Sequence, residues 1–167
     1  FDRPIVPRCL ECHGSYFTSL SPPLNRYEKS SLVLGIGCER CHGPGAEHVA
    51  RERSKKPPAP GSAQEAIVNP ARLTDDRQLG LCSLCHAGAV EPTRPPLTFL
   101  AGDDVRDFLK IEPATSGASV DVHGNQVGAL ELSKCFGSGK LTCSTCHDVH
   151  VKQENANAFS THCLTCH

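Results

Sequence analysis

Five times in 167 residues the chain sets two cysteines three positions apart and follows the second directly with a histidine. The pentads are Cys9, Cys12 and His13; Cys38, Cys41 and His42; Cys82, Cys85 and His86; Cys143, Cys146 and His147; and Cys163, Cys166 and His167. No other feature restricts the fold so tightly. Residues three apart share one face of a helical turn. At that spacing both thiols can form thioethers to the vinyl groups of one porphyrin, and the next residue swings its imidazole under the iron. Zinc modules also use Cys-x-x-Cys pairs, but tetrahedral zinc makes no demand for a His after the second Cys. Disulfide frameworks make none either. The pattern implies five covalently bound haem c groups, with the ten pentad cysteines as thioether donors and the five trailing histidines as proximal iron ligands.

Composition supports a chain built around such groups. Aromatic residues are only 5%, Trp is absent, and 14 Gly with 13 Pro make the sequence rich in turns. Five porphyrins would supply the missing apolar surface, and a chain stripped of them should be largely unfolded. The expected fold is mostly irregular with short α-helices, little or no β-sheet, and one pentahaem domain over residues 1–167. A formal net charge of -1 gives no case for nucleic acid or a membrane surface as partner. No stretch approaches the length of a membrane span. The cysteine content points to an oxidising, extracytoplasmic compartment. Both ends are abrupt: the sequence begins without Met or a signal segment and stops on a proximal ligand, which suggests a processed or partial chain.

Taken in order, Pro4 and Pro7 predict an extended approach to the first pentad. Gly14 to Leu34 reads as a loop with a short helix near Asn25 to Ser31. Gly43-Pro44-Gly45 starts a helix to about Ser54 with His48 on its first turn, and a solvated linker follows near 55–62. Thr74 with Asp75 and Asp76 caps a helix running into the third pentad. Glu91 to Thr98 is extended, and Asp103-Asp104 caps a short helix to Leu109. His123 falls in a turn region. Ala129 to Cys135 forms a helical turn that Gly137-Ser138-Gly139 breaks, Thr142 caps the fourth pentad, and Asn155 to His162 leads by helix into the fifth. Gaps of 29, 44, 61 and 20 residues between first cysteines exclude a regular repeat.

Ten axial positions are available on five irons. Met is absent, which removes His/Met ligation. Nine histidines less five proximal ones leave His48, His123, His150 and His162 as distal candidates, one too few. His150 follows His147 by three residues and His162 abuts Cys163, so each is tethered to the proximal side of its own haem and better placed to ligate another. The same holds less firmly for His48. The fifth distal position is filled by a His from another subunit or from further chain, is open to a small molecule, or is capped by a weaker group such as Lys. The first fits the abrupt ends. Cys135, the eleventh cysteine, reads as a small buried hydrophobe.

The run Cys38-Glu39-Arg40-Cys41-His42-Gly43-Pro44-Gly45-Ala46-Glu47-His48 resembles the second-haem region of multihaem cytochromes c related to the tetrahaem cytochrome of ammonia oxidisers. Asn25-Arg26-Tyr27, and Ser133-Lys134-Cys135-Phe136 ahead of Leu141-Thr142-Cys143, are similar to larger bacterial multihaem cytochromes. The resemblance implies an exported bacterial electron carrier, periplasmic or extracellular, with mostly bis-His, low-potential haems and His48 and His150 as distal ligands. Members of that group include oxidoreductases with an open haem and cytochromes that polymerise into conductive filaments. The expected function is therefore single-electron transfer between redox protein partners, with a polymeric variant in which a further copy donates one His. An oxidoreductase of small nitrogen compounds at a five-coordinate haem is the alternative; no catalytic residues stand out beside any pentad. A third reading makes the haems structural staples only.

Overall fold

The computed structural model describes residues 3–54, 66–113, 124–139, 141–152 and 155–167. The expected linker near 55–62 and the turn holding His123 lie outside them. Seven short helices and two two-stranded antiparallel sheets make up the regular structure of the described residues, interspersed with single 3-10 turns.

Pro7 occupies the first turn of α1 (Pro7–His13), where its missing N–H costs nothing, so the helix begins at the residue that also ends the extended approach. The segment after it is not a plain loop. β1 (Gly14–Tyr16) pairs with β2 (Val33–Leu34), and Tyr27 packs edge-on against the buried Phe17 while its hydroxyl donates to Ile5 O at 2.6 Å. The helix expected over Asn25 to Ser31 shrinks to a 3-10 turn at Lys29–Ser31, capped by Glu28. Asn25 instead takes a left-handed conformation (φ 63°) and ties Arg3 and Ile5 through its side chain.

α2 (Glu39–His42) ends at Gly43, whose φ of 76° is a conformation L side chains rarely adopt. The turn that follows launches α3 (Ala46–Ser54), with the Gly45 amide donating to Glu39 Oε1 at 2.7 Å.

α4 (Asp75–His86) is the hub. Gly80, Ser83 and Leu84 are buried along it, and Leu84 packs with Phe99, Val105 and Leu109 into the main apolar cluster. The cluster is roofed by the hairpin of β3 (Val90–Pro92) and β4 (Leu109–Ile111), with Phe99 and Phe108 meeting edge to face at 5.4 Å. The helix expected to reach Leu109 is replaced by a 3-10 turn at Val105–Asp107, because Asp104 satisfies the Arg106 amide and the chain then extends into β4. α5 (Gln126–Glu131) starts earlier than expected, capped by Asn125 on Gly128 N at 2.7 Å. Ser133 then caps a separate α6 (Lys134–Gly137). α7 (Ala156–Leu164) closes the described chain.

The conventional core is small. Among the described residues seven hydrophobic side chains are buried, and none is less than 2% exposed. The chain presents 12236 Å² of accessible surface, against about 8,000 Å² for a compact protein of its mass.

Two polar clusters hold the frame. Glu11, 5% exposed, accepts from Arg8 Nη1 at 2.6 Å and from the amide of Leu97 at 3.0 Å, fixing Leu97 in a left-handed conformation (φ 63°). Glu11→Ala leaves a largely buried guanidinium without its partner; it is expected to cost about 3 kcal/mol, read as a lower denaturation midpoint of the mature protein. Asp104 accepts from Arg106 and faces Arg77 at 3.1 Å, which holds its carboxyl well below the usual carboxylate range. A depressed carboxyl contributes stability above its unfolded value of about 4 and loses it as pH falls through the folded value. Asp104→Asn is therefore expected to lower the denaturation midpoint at pH 7, with the difference shrinking as pH is taken from 4 toward 2.

Candidate haem-attachment sites

Each pentad is one turn of helix. The first and third form the last five residues of α1 and α4. In the second, fourth and fifth, the amide of the trailing His donates to the carbonyl of the first Cys: His42 to Cys38 at 2.9 Å, His147 to Cys143 at 2.9 Å and His167 to Cys163 at 3.0 Å. The turn that the attachment chemistry needs is thus formed by backbone alone. Local side chains reinforce it: Thr145 Oγ1 accepts from the amide of Thr142 at 3.1 Å, and Thr165 Oγ1 donates to His162 O at 2.6 Å.

The first and fourth turns contact α4, which itself ends in the third, and the second turn reaches the first. Arg8 Nη2 donates to Leu84 O at 2.5 Å, Cys12 Sγ lies 3.8 Å from the same carbonyl, and Arg40 Nη2 donates to Glu11 O at 3.0 Å. Ser144 Oγ lies 3.4 Å from Gln78 Oε1. Sulfurs from different pentads meet as a result. The hydrogen bond between Cys85 and Cys12 lowers the Cys12 thiol to about 6 and pushes that of Cys85 up. Cys82 and Cys143 repeat the arrangement, with Cys143 drawn down to about 7 and Cys82 raised. Burial raises Cys41.

His42 is the best-defined of the trailing histidines. Its Nδ1 lies 2.8 Å from Val68 O, and its own carbonyl accepts from the Val68 amide at 2.9 Å. Bonded in this way, Nδ1 carries the proton and Nε2 keeps its lone pair for a metal. The His13 carbonyl is tied similarly, to the amide of Gly35 at 2.9 Å. Val68 carries no sequence signal for this role, since only its backbone is used.

Of the distal candidates, His48 is half-buried on α3 and His162 exposed on α7. His123 lies outside the described residues. His150 is exposed, but its ring centroid lies 6.1 Å from that of His42.

All eleven cysteines are unpaired. Among the described residues no group of three or more His, Cys, Asp or Glu side chains is gathered to hold a metal ion. A haem asks for something different: two sulfurs and an imidazole on one turn, with apolar surface to cover. The residues fit that demand. Leu164, 72% exposed, lies between Cys163 and Cys166; Val149 and Val151 flank His150; Ile36 stands two residues before Cys38. These apolar side chains are uncovered beside the very motifs that would carry a porphyrin. Cys135 is exposed rather than buried, so the small-hydrophobe expectation for it does not hold.

The sites thus have the make-up of a c-type haem protein. Over 95% of its residues the chain is 25% identical to the "C-type polyheme cytochrome OmcC" of Geobacter sulfurreducens, and it spans about a fifth (20%) of that protein's length. The similarity relates the chain, distantly, to the multihaem c-type cytochromes. No protein-family model matches it, and no solved structure does.

The Val68 clamp makes a prediction. Val68→Pro removes the amide that donates to His42 O and loosens the carbonyl bonded to Nδ1, which makes the imidazole a weaker donor. The expected outcome is an upward shift in the potential of one haem, with the haem count by intact mass unchanged.

Proposed function

We propose that the mature chain is a pentahaem electron carrier: a single wrapper of loops and short helices holding five haem c groups, most of them with two axial histidines. Bound haem supplies a one-electron iron couple, and haems placed close together relay the electron along the chain. The protein's own part is positional. Each pentad offers its two sulfurs from one turn, His42 is fixed in the tautomer that leaves Nε2 for iron, and α4 carries the third turn and contacts the first and fourth. The observation that carries the reading is the linking of four Cys-x-x-Cys-His turns into one group, the first and fourth against the helix that ends in the third and the second against the first. The distant likeness to a polyhaem c-type cytochrome supports it.

The proposed location is the periplasm or the cell exterior, where thioether-anchored cytochromes are matured. Among the described residues no helix is long and apolar enough to cross a membrane. The proposed partners are redox proteins and, in a polymeric or multi-subunit haem chain, further copies supplying the distal His that this sequence lacks. The count of four spare histidines for five irons favours one second reading, an oxidoreductase of small nitrogen compounds at a five-coordinate haem.

Intact mass of the exported protein should show five haems, and a redox titration should reduce all of them through added mediators. Ferrous protein that stays low-spin and ignores carbon monoxide and nitrite would leave electron transfer alone standing. One equivalent of either bound would favour the oxidoreductase. A bare polypeptide mass would refute both.

A further inference from the structure

Two histidines far apart in sequence meet at a separation that ring packing does not require. The imidazoles of His42 and His150 lie with centroids 6.1 Å apart and planes inclined by 30°. Two imidazoles on opposite sides of one metal, with bonds of about 2 Å each and roughly 1 Å more from nitrogen to ring centre, sit about 6 Å apart. Both rings also have Nδ1 directed to an oxygen. That of His42 faces Val68 O at 2.8 Å, and that of His150 lies 3.7 Å from Asp148 Oδ1, which accepts the His150 amide at 3.0 Å. The His42 contact is a hydrogen bond of the kind that fixes the tautomer of a metal-bound histidine and leaves Nε2 as the donor atom, whereas the His150 contact is only an ion-pair approach. Val149 and Val151, 76% and 59% exposed, are the sequence neighbours of His150 and are apolar surface that the chain itself leaves uncovered.

We propose that His150 is the sixth ligand of the iron held by the Cys38–Cys41 pentad, opposite His42. The assignment rests on the multihaem reading and goes further, because it names the pair. It also makes the segment from Cys143 to His150 serve two irons. His147 takes the iron of the fourth pentad on one side, and three residues later His150 takes that of the second. The two haems are then neighbours whatever their distance along the sequence, and the short span between them sets their separation.

The test uses the exported holoprotein. His150→Ala should keep five haems by intact mass, convert one equivalent from low-spin to high-spin in the electron paramagnetic resonance spectrum, and bind one more equivalent of carbon monoxide than the parent. Repeating His150→Ala in a four-haem background made by Cys38→Ala with Cys41→Ala decides which iron is involved: there the substitution should add no high-spin signal and no carbon monoxide. A high-spin gain that persists without the second haem assigns His150 to another iron and overturns the proposal, as does no gain in the five-haem protein. Should His150→Ala fail to accumulate, His150→Met answers the same question. It should keep the iron six-coordinate, add a sulfur-to-iron charge-transfer band and raise one potential, and lose all three effects in the four-haem background. Fewer than five haems in the unsubstituted protein would count against the pentahaem reading, whereas five haems without the His150 response count against this pairing alone.

Discussion

Two sulfurs and an imidazole must be delivered from a single turn of backbone, and almost everything else in this chain follows from meeting that demand five times. A turn is a weak structure on its own, since fixing its dihedrals costs more than one or two hydrogen bonds return. The chain therefore anchors the first, second and fourth turns with further contacts. α1 is held by the Arg8–Glu11 pair and its bond to Leu97, α2 by Arg40 reaching back to α1 and by Val68 gripping His42, and the fourth turn by its contact with Gln78. α4 needs less help because its inner face is already part of the apolar cluster.

α4 consequently has two jobs on two faces. Leu84 and Gly80 pack inward against Phe99 and Val105, and Cys82 and Cys85 face neighbouring pentads. One helix thus joins the small conventional core to the haem-binding region. Exposed apolar side chains elsewhere are the counterpart: among the described residues seven hydrophobic side chains are buried, while Ile36, Val149, Val151 and Leu164 stay exposed beside the motifs.

The candidate sites were legible in the sequence because each is a local motif. A motif of five residues states its own geometry, and the helices leading into the third and fifth pentads could be read from Thr74 with its acidic neighbours and from Asn155, whereas Pro7 read as extended chain and opens α1. Much of the rest was not legible, for two physical reasons. Short strands such as Gly14–Tyr16 and Leu109–Ile111 form only because distant partners pair with them, and a three-residue strand carries no periodicity to detect. Backbone partners are invisible as well: Val68 clamps His42 through its amide and carbonyl, which every non-proline residue possesses. The nearness of His42 and His150 is a third case, a tertiary fact that ligand counting narrows without deciding.

The two residues between the cysteines, which attachment chemistry leaves free, are not spare here. Glu11 is buried in an ion pair, Glu39 and Arg40 bond to Gly45 and to Glu11, Ser83 and Leu84 lie in the interior, and Ser144 reaches α4. The five motifs look like copies of one cassette but cannot be exchanged. Swapping the inner dipeptides of the first four would keep every motif intact while taking apart the contacts that give each turn its address.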